Sequence, residues 1–270
     1  MYPVEFCHRL LFHADRVLDS GPCGARDHGI KRPVLFPSHR RGHGRLLRSY
    51  ESAYGNCGLF LRCLEPVKHL LLIRHAETDM TGRFCGHSDP ELNERGHQQL
   101  AGVVDRLSEC AIGRIYTSDL RRARQTAEAI TSHFGIGFEV RPGLREIHFG
   151  QWEGLSWSEI EACDPVLAKS WAEQYPTLTA PGGESLQQFE RRVRAESGFL
   201  FAAAKECPIA VVSHAGFMRA LLTNFYGVPE EETWKLTKEY GSVVALDTNL
   251  IRTCAGEKSA EQVFETLSKK

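Results

Sequence analysis

From Val67 to Asp247, short apolar runs alternate with longer stretches of helical period, and this alternation most limits what the chain can fold into. Lys68 to Ile73 is an apolar run that ends at a charged turn, as a strand buried on both faces does. Leu92 to Leu107 reads as a helix, with Asn93 as N-cap and Leu100, Val103, Val104 and Leu107 on one stripe. The pattern then predicts a strand at Arg114–Thr117, a helix at Leu120–Phe134, a strand at Phe138–Arg141, and helices at Trp157–Cys163, Val166–Gln174 and Ser185–Lys205. A strand at Ile209–Ser213, a helix at Phe217–Tyr226 and a last strand at Ser242–Asp247 complete it. Strands separated by helices imply an α/β three-layer sandwich, a mostly parallel central sheet with helices on both faces.

The two ends read differently. The first 66 residues carry an excess of Lys and Arg over Asp and Glu and are rich in His, Gly and Pro. Clusters such as Ser38-His39-Arg40-Arg41-Gly42-His43-Gly44-Arg45 show no period of 2 or 3.6, which predicts loop or disorder. Residues 1–65 are therefore expected to be a poorly ordered basic extension, 66–256 the folded domain, and 257–270 a polar tail. No methionine lies between Met1 and Met80, while the ordered pattern begins at Val67. This raises the expectation that residues 1–65 precede the native start.

Composition narrows the function classes. With 33 Lys and Arg against 34 Asp and Glu, the net charge of −1 gives no overall pull toward nucleic acid or anionic lipid. The nine cysteines include no Cys-x-x-Cys pair, so neither a disulfide framework nor a zinc site is indicated, and reduced thiols in the cytoplasm are expected. The longest apolar run is strand-sized, well short of the ~20 residues a membrane helix needs.

The chemistry is expected where the strands end, because ligands of open α/β sheets sit at the carboxyl ends. The first strand ends in Arg74-His75. The second ends in Thr117-Ser118, and the next helix brings Arg121, Arg122 and Arg124 in its first turns. The strand at Ile209–Val212 runs into Ser213-His214-Ala215-Gly216. Two histidines and at least one arginine thus meet at one edge. Arginine presents a planar fork of donors matched to phosphate oxygens, and a histidine nitrogen can hold a phosphoryl group covalently.

Arg74-His75-Ala76-Glu77-Thr78 resembles the Arg-His-Gly-Glu-Thr signature of the histidine phosphatase (phosphoglycerate mutase-like) superfamily. Five further segments follow in the same order: Gly82 to Gly96, Ser118 to Ala127, Leu144 to Gly154, Pro181-Gly182-Gly183-Glu184-Ser185, and Ser213-His214-Ala215-Gly216. The resemblance implies that His75 attacks phosphorus and becomes phosphohistidine, that Arg74, Arg122 and His214 hold the phosphoryl oxygens, and that Glu146 protonates the leaving oxygen. It implies no metal and no cofactor. Arg121 and Arg124 are expected at the surface, and Glu77 as an organiser of the turn. Glu146 needs a proton at the start, so an apolar setting from Phe149 and Trp152 is expected around it.

The sequence departs from the family at two places. Ala76 stands where glycine is usual, and Asp79-Met80-Thr81-Gly82 replaces a longer loop whose Trp-Asn supplies a phosphate contact. Thr81 is the candidate for that contact; Arg83 and His87 are candidates on the substrate side. The acid loop Arg145-Glu146-Ile147-His148-Phe149-Gly150 lacks the Arg-Arg pair of mutases, which favours water as acceptor. The expected partner is a small phosphorylated metabolite, with no nucleic acid and no membrane, acted on by a monomer or homodimer. The loops and Trp234 resemble α-ribazole phosphatase. A broad sugar-phosphate phosphatase, a mutase, and a non-catalytic binding protein with a basic arm stay open.

Overall fold

The computed structural model describes residues 69–250 apart from Pro176; the expectations for residues 1–65 and 257–270 lie outside the described residues. The elements are β1 (His69–Arg74), α1 (Glu94–Leu107), β2 (Arg114–Thr117), α2 (Arg121–Phe134), β3 (Phe138–Val140), α3 (Trp157–Cys163), α4 (Pro165–Gln174), α5 (Leu186–Ala204), β4 (Ile209–Ser213), α6 (Ala215–Leu221), α7 (Glu230–Thr237) and β5 (Val243–Asp247). The five strands form one sheet in the order β3-β2-β4-β1-β5, parallel except for β5.

The period-2 alternation of β1 and β4 makes the layers. Leu70, Leu72, Ile209 and Val211 face a core built with Phe189, Val193 and Leu200 of α5 and Phe217 and Met218 of α6. Leu71, Ile73, Ala210 and Val212 face the other way, onto Val103 and Leu107 of α1 and Ala123, Ala127 and Ile130 of α2. Each fully buried side chain of this kind stabilises the fold by about 1.5–3 kcal/mol relative to exposure. A third cluster gathers Phe84, Trp152, Trp157 and Trp171 over α3 and α4.

Asn93 caps α1, accepting from Gly96 N–H at 2.7 Å. Of the expected α1 stripe, Val103 and Leu107 are buried, while Leu100 and Val104 are half-buried. β3 stops one residue early, where Arg141 N–H turns to Thr117 O at 2.8 Å and Pro142 begins a 3-10 turn. The predicted Phe217–Tyr226 helix begins sooner, at Ala215, and its last turn, Leu222–Tyr226, widens to a π-turn before Gly227. Among the described residues no helix is long and apolar enough to cross a membrane.

Candidate active site

The order β2-β4-β1 sets three parallel strands side by side, so their carboxyl ends open at one edge of the sheet. Register pairs Arg74 with Ser213 and Thr117 with Val212. His75 follows directly, its N–H bonded to Ser213 O and its carbonyl to Gly241 N–H. His214 leaves β4 at the same level, and Arg122 arrives on the first turn of α2. His75, Arg122 and His214 are all buried, and the two histidine rings lie 5.0 Å apart.

The hydrogen bonds of His75 define its chemistry. Nδ1 lies 2.7 Å from Ala76 O, and a carbonyl can only accept, so Nδ1 carries the proton. The lone pair is then on Nε2, which accepts from Arg122 Nε at 3.2 Å. Burial, then the charges of Arg122 and Arg74, lower the His75 pKa well below its ordinary value of 6.5. Burial and the same cations do the same for His214. Both imidazoles are neutral at pH 7, and His75 has Nε2 free of a proton.

Arg122 is locked by more than His75. Its Nη1 donates to Ser88 O (2.6 Å) and its Nη2 to Gly86 O (2.8 Å), so the loop that follows His75 grips it. That loop is itself held by Glu153, which accepts from Gly86, His87, Ser88 and Phe149 N–H and from the Ser88 hydroxyl. Burial opposes ionisation of Glu153, but these donors outweigh it and leave the pKa below the usual 4.5. A Cβ on Gly86 would come within 2.1 Å of Ile147 O, so only glycine lets the loop approach this closely.

Glu146 hangs over the edge from the acid loop. Its Oε1 accepts from Ile147 N–H (2.9 Å) and its Oε2 from Gly216 N–H (2.8 Å). Phe149 and Trp152, expected to give Glu146 an apolar setting, pack with Phe84, their rings 4.9 and 5.8 Å from the Phe84 ring. The loop is fixed by Arg192, which donates to the carbonyls of Gly143, Arg145 and Glu146 while paired with Glu184.

Of the substrate-side candidates, His87 is at the rim. It stacks on His148 at 4.6 Å, and its Nε2 is 3.2 Å from Glu146 O. Burial, then His148 and Arg145, lower its pKa. Thr81 bonds Thr78 O (3.0 Å) and the Tyr240 hydroxyl (3.3 Å). Arg83 is not drawn into the cluster: it donates to Gly154 O (2.7 Å) and pairs with Glu159 (2.8 Å), an acid in the first turn of α3. Arg121 and Arg124 are exposed, and Glu77 ties Asn93 and Gln99 into the turn after β1.

Glu153, Arg192, Tyr240 and Gly216 were not singled out by the sequence. Glu153 and Gly216 lie inside the motif segments, where register alone could have raised them. Arg192 and Tyr240 sit outside, on a helix face and a turn whose partners are far away in the chain.

What this arrangement can take is an oxyanion. Arg74 Nε and both ring nitrogens of His214 are buried without a hydrogen-bond partner. Unpaired buried polar groups cost about 1–3 kcal/mol each, and they are tolerated mainly where a ligand will pair them.

Several known proteins are similar to this chain. An Escherichia coli (strain K12) protein described as adenosylcobalamin/alpha-ribazole phosphatase is 29% identical over 182 residues, which is 67% of this chain and 90% of that one. A Mycobacterium tuberculosis glucosyl-3-phosphoglycerate phosphatase is 32% identical over 172 residues, 60% of this chain and 77% of that one. The crystal structure of the alpha-ribazole phosphatase from Shigella flexneri superposes with a TM-score of 0.61 at 28% identity, covering 66% of this chain and 90% of that one. The model of the histidine phosphatase superfamily (branch 1) matches residues 70–252, which hold every residue of the pocket, and the chain belongs to that superfamily.

Proposed function

We propose that this protein is a phosphomonoester hydrolase that works through a phosphohistidine on His75, with a small phosphorylated metabolite as its substrate. The observation that carries this reading is the state of His75: Nδ1–H is spent on Ala76 O, and Nε2 is unprotonated among cations. A substrate phosphoryl group takes over the Arg122 Nε–H and pairs with Arg74 Nε and His214. Nε2 then forms a bond to phosphorus as the bond to the leaving oxygen breaks, and Glu146 gives that oxygen a proton. In the second half, Glu146 takes a proton from water, water oxygen bonds phosphorus, and the P–Nε2 bond breaks to restore the lone pair. Charge on the equatorial oxygens is met throughout by donors already in place.

Water rather than a second hydroxyl is favoured as acceptor by the absence of the mutase Arg-Arg pair. The proposed substrate is α-ribazole 5'-phosphate, a reading supported by the E. coli and S. flexneri relatives. The mycobacterial relative favours a phosphorylated sugar acid as the second reading. The test is phosphate release from a panel of α-ribazole 5'-phosphate, glucosyl-3-phosphoglycerate, 3-phosphoglycerate and 4-nitrophenyl phosphate. The proposal expects turnover that His75→Ala abolishes, highest kcat/KM on α-ribazole 5'-phosphate, and no transfer to added 2-phosphoglycerate or 3-phosphoglycerate acceptors. A folded protein that releases no phosphate from any of the four contradicts it.

A further inference from the structure

The turn after α7 grips the phosphate arginine. Thr237 O accepts from Arg74 Nη1 at 3.0 Å, and Lys238 O accepts from the same nitrogen. The Tyr240 ring lies against the guanidinium, with Arg74 Cζ 3.9 Å from the ring centroid. One end and one face of Arg74 are therefore taken, while Nε stays buried without a partner. The Tyr240 ring is also 5.6 Å from the His75 ring, so a single side chain borders both the nucleophile and the arginine beside it.

Tyr240 is held in turn from both sides. Its hydroxyl is 3.3 Å from Thr81 Oγ1, and Thr81 Oγ1 is 3.0 Å from Thr78 O, on the loop that follows the nucleophile. On the other side α7 is anchored by Arg219, whose Nε donates to Thr237 Oγ1 at 2.9 Å and whose Cζ lies 3.4 Å from the centroid of the Trp234 ring. Thr237 is fully buried, so this end of α7 is a fixed point. Thr81 lies on the Asp79–Gly82 loop that follows His75, and it is this loop that bonds Tyr240.

We infer that Tyr240 is a positioning residue for phosphoryl transfer: held by Thr81, its ring sets the Arg74 guanidinium so that the free Nε edge meets a phosphoryl oxygen at His75. The loop after His75 thereby acts on the phosphate through Tyr240 and Arg74. A guanidinium seated on an aromatic face is favoured strongly enough to affect binding of the anion it serves. The inference rests on the phosphatase reading for its role in turnover, but the geometry of Arg74 can be read by anion binding alone.

The experiment measures orthovanadate affinity by calorimetry and kcat/KM on 4-nitrophenyl phosphate for wild type, Tyr240→Leu, Tyr240→Phe, Arg74→Ala and the Arg74→Ala/Tyr240→Leu pair. Tyr240→Leu is expected to weaken vanadate and lower kcat/KM each by about ten-fold, with an unchanged melting temperature, and Tyr240→Phe to recover to within about three-fold. Once Arg74 is alanine, Tyr240→Leu should add nothing, as a residue acting through Arg74 requires. Unchanged vanadate affinity in Tyr240→Leu, or effects that multiply with Arg74→Ala, overturns the inference. If Tyr240→Leu does not fold, Thr81→Val at the surface takes its place: about three-fold weaker vanadate binding supports the inference, and wild-type binding overturns it. A wild type that binds vanadate but turns nothing over ends the hydrolase reading and leaves Tyr240 judged on vanadate; a wild type that binds none ends both.

Discussion

Gly216 and Glu146 show how single residues set the chemistry. A Cβ at position 216 would sit 2.0 Å from Glu146 Oε1, and what it would strike is the far end of a flexible side chain. Gly216→Ala is therefore expected to keep the fold and displace the acid. Its kcat/KM, which ends at phosphoryl transfer to His75 and so leaves out the water step that every substrate shares, should fall about 10²-fold on alkyl phosphates, in the range that a general acid contributes. The fall should be much smaller on 4-nitrophenyl phosphate, whose leaving group needs no proton. Equal losses on the two substrates would show that Glu146 is not the proton donor. The motif at Ser213-His214-Ala215-Gly216 marked His214, which lies beside His75, but nothing in its letters said that Gly216 N–H would hold the carboxylate of a residue 70 positions away. His75, Arg122 and His214 were legible because each sits at a strand end or first helical turn, where local pattern and position coincide. Arg83 misled because its charge and its place in a motif loop were visible while its partner Glu159 was not.

At the scale of elements, the loop from Cys85 to Ser88 is built around two charged groups, the buried Arg122 and the half-buried Glu153, rather than around secondary structure. Arg122 takes its carbonyls and Glu153 takes its N–H groups. An amide in place of Glu153 turns one acceptor into a donor facing N–H groups, so Glu153→Gln should cost about 1–3 kcal/mol in chemical unfolding at neutral pH. Because the folded pKa of Glu153 lies below 4.5, its contribution is present above that pH and lost as pH falls through the folded value. The deficit of the Gln variant should accordingly shrink in acid; a deficit independent of pH would mean the charge is not what holds the loop. The long elements were legible from period alone, and α1, α2, α5 and β4 sit within two residues of expectation at each end. α7 was not, since its buried side chains are Thr233 and Thr237 and no apolar stripe marks it. The antiparallel direction of β5 was likewise invisible, because strand direction depends on the path of the connection and not on the strand's own residues.

For the whole molecule, the pocket is a cost the fold carries. His75, His214 and His87 all have pKa values lowered from 6.5, so below that pH the unfolded chain binds protons that the folded one does not. Stability must fall as pH drops below ~6.5, by up to about 1.4 kcal/mol per pH unit for each of the buried His75 and His214 and by less for the solvent-screened His87, until the folded pKa is reached. Urea unfolding at pH 7.5 and pH 5.5 should show this loss, and His214→Gln should reduce it; stability that is flat over that range would mean the histidines are not held neutral by the fold. The same neutrality is what the proposed nucleophile role of His75 needs, and that is where the account is most exposed. Wild type mixed with ³²P-labelled substrate and quenched in alkali should carry label on His75, lost on brief acid treatment and absent from His75→Ala. Steady turnover with no trapped label, or with label on another residue, would contradict it.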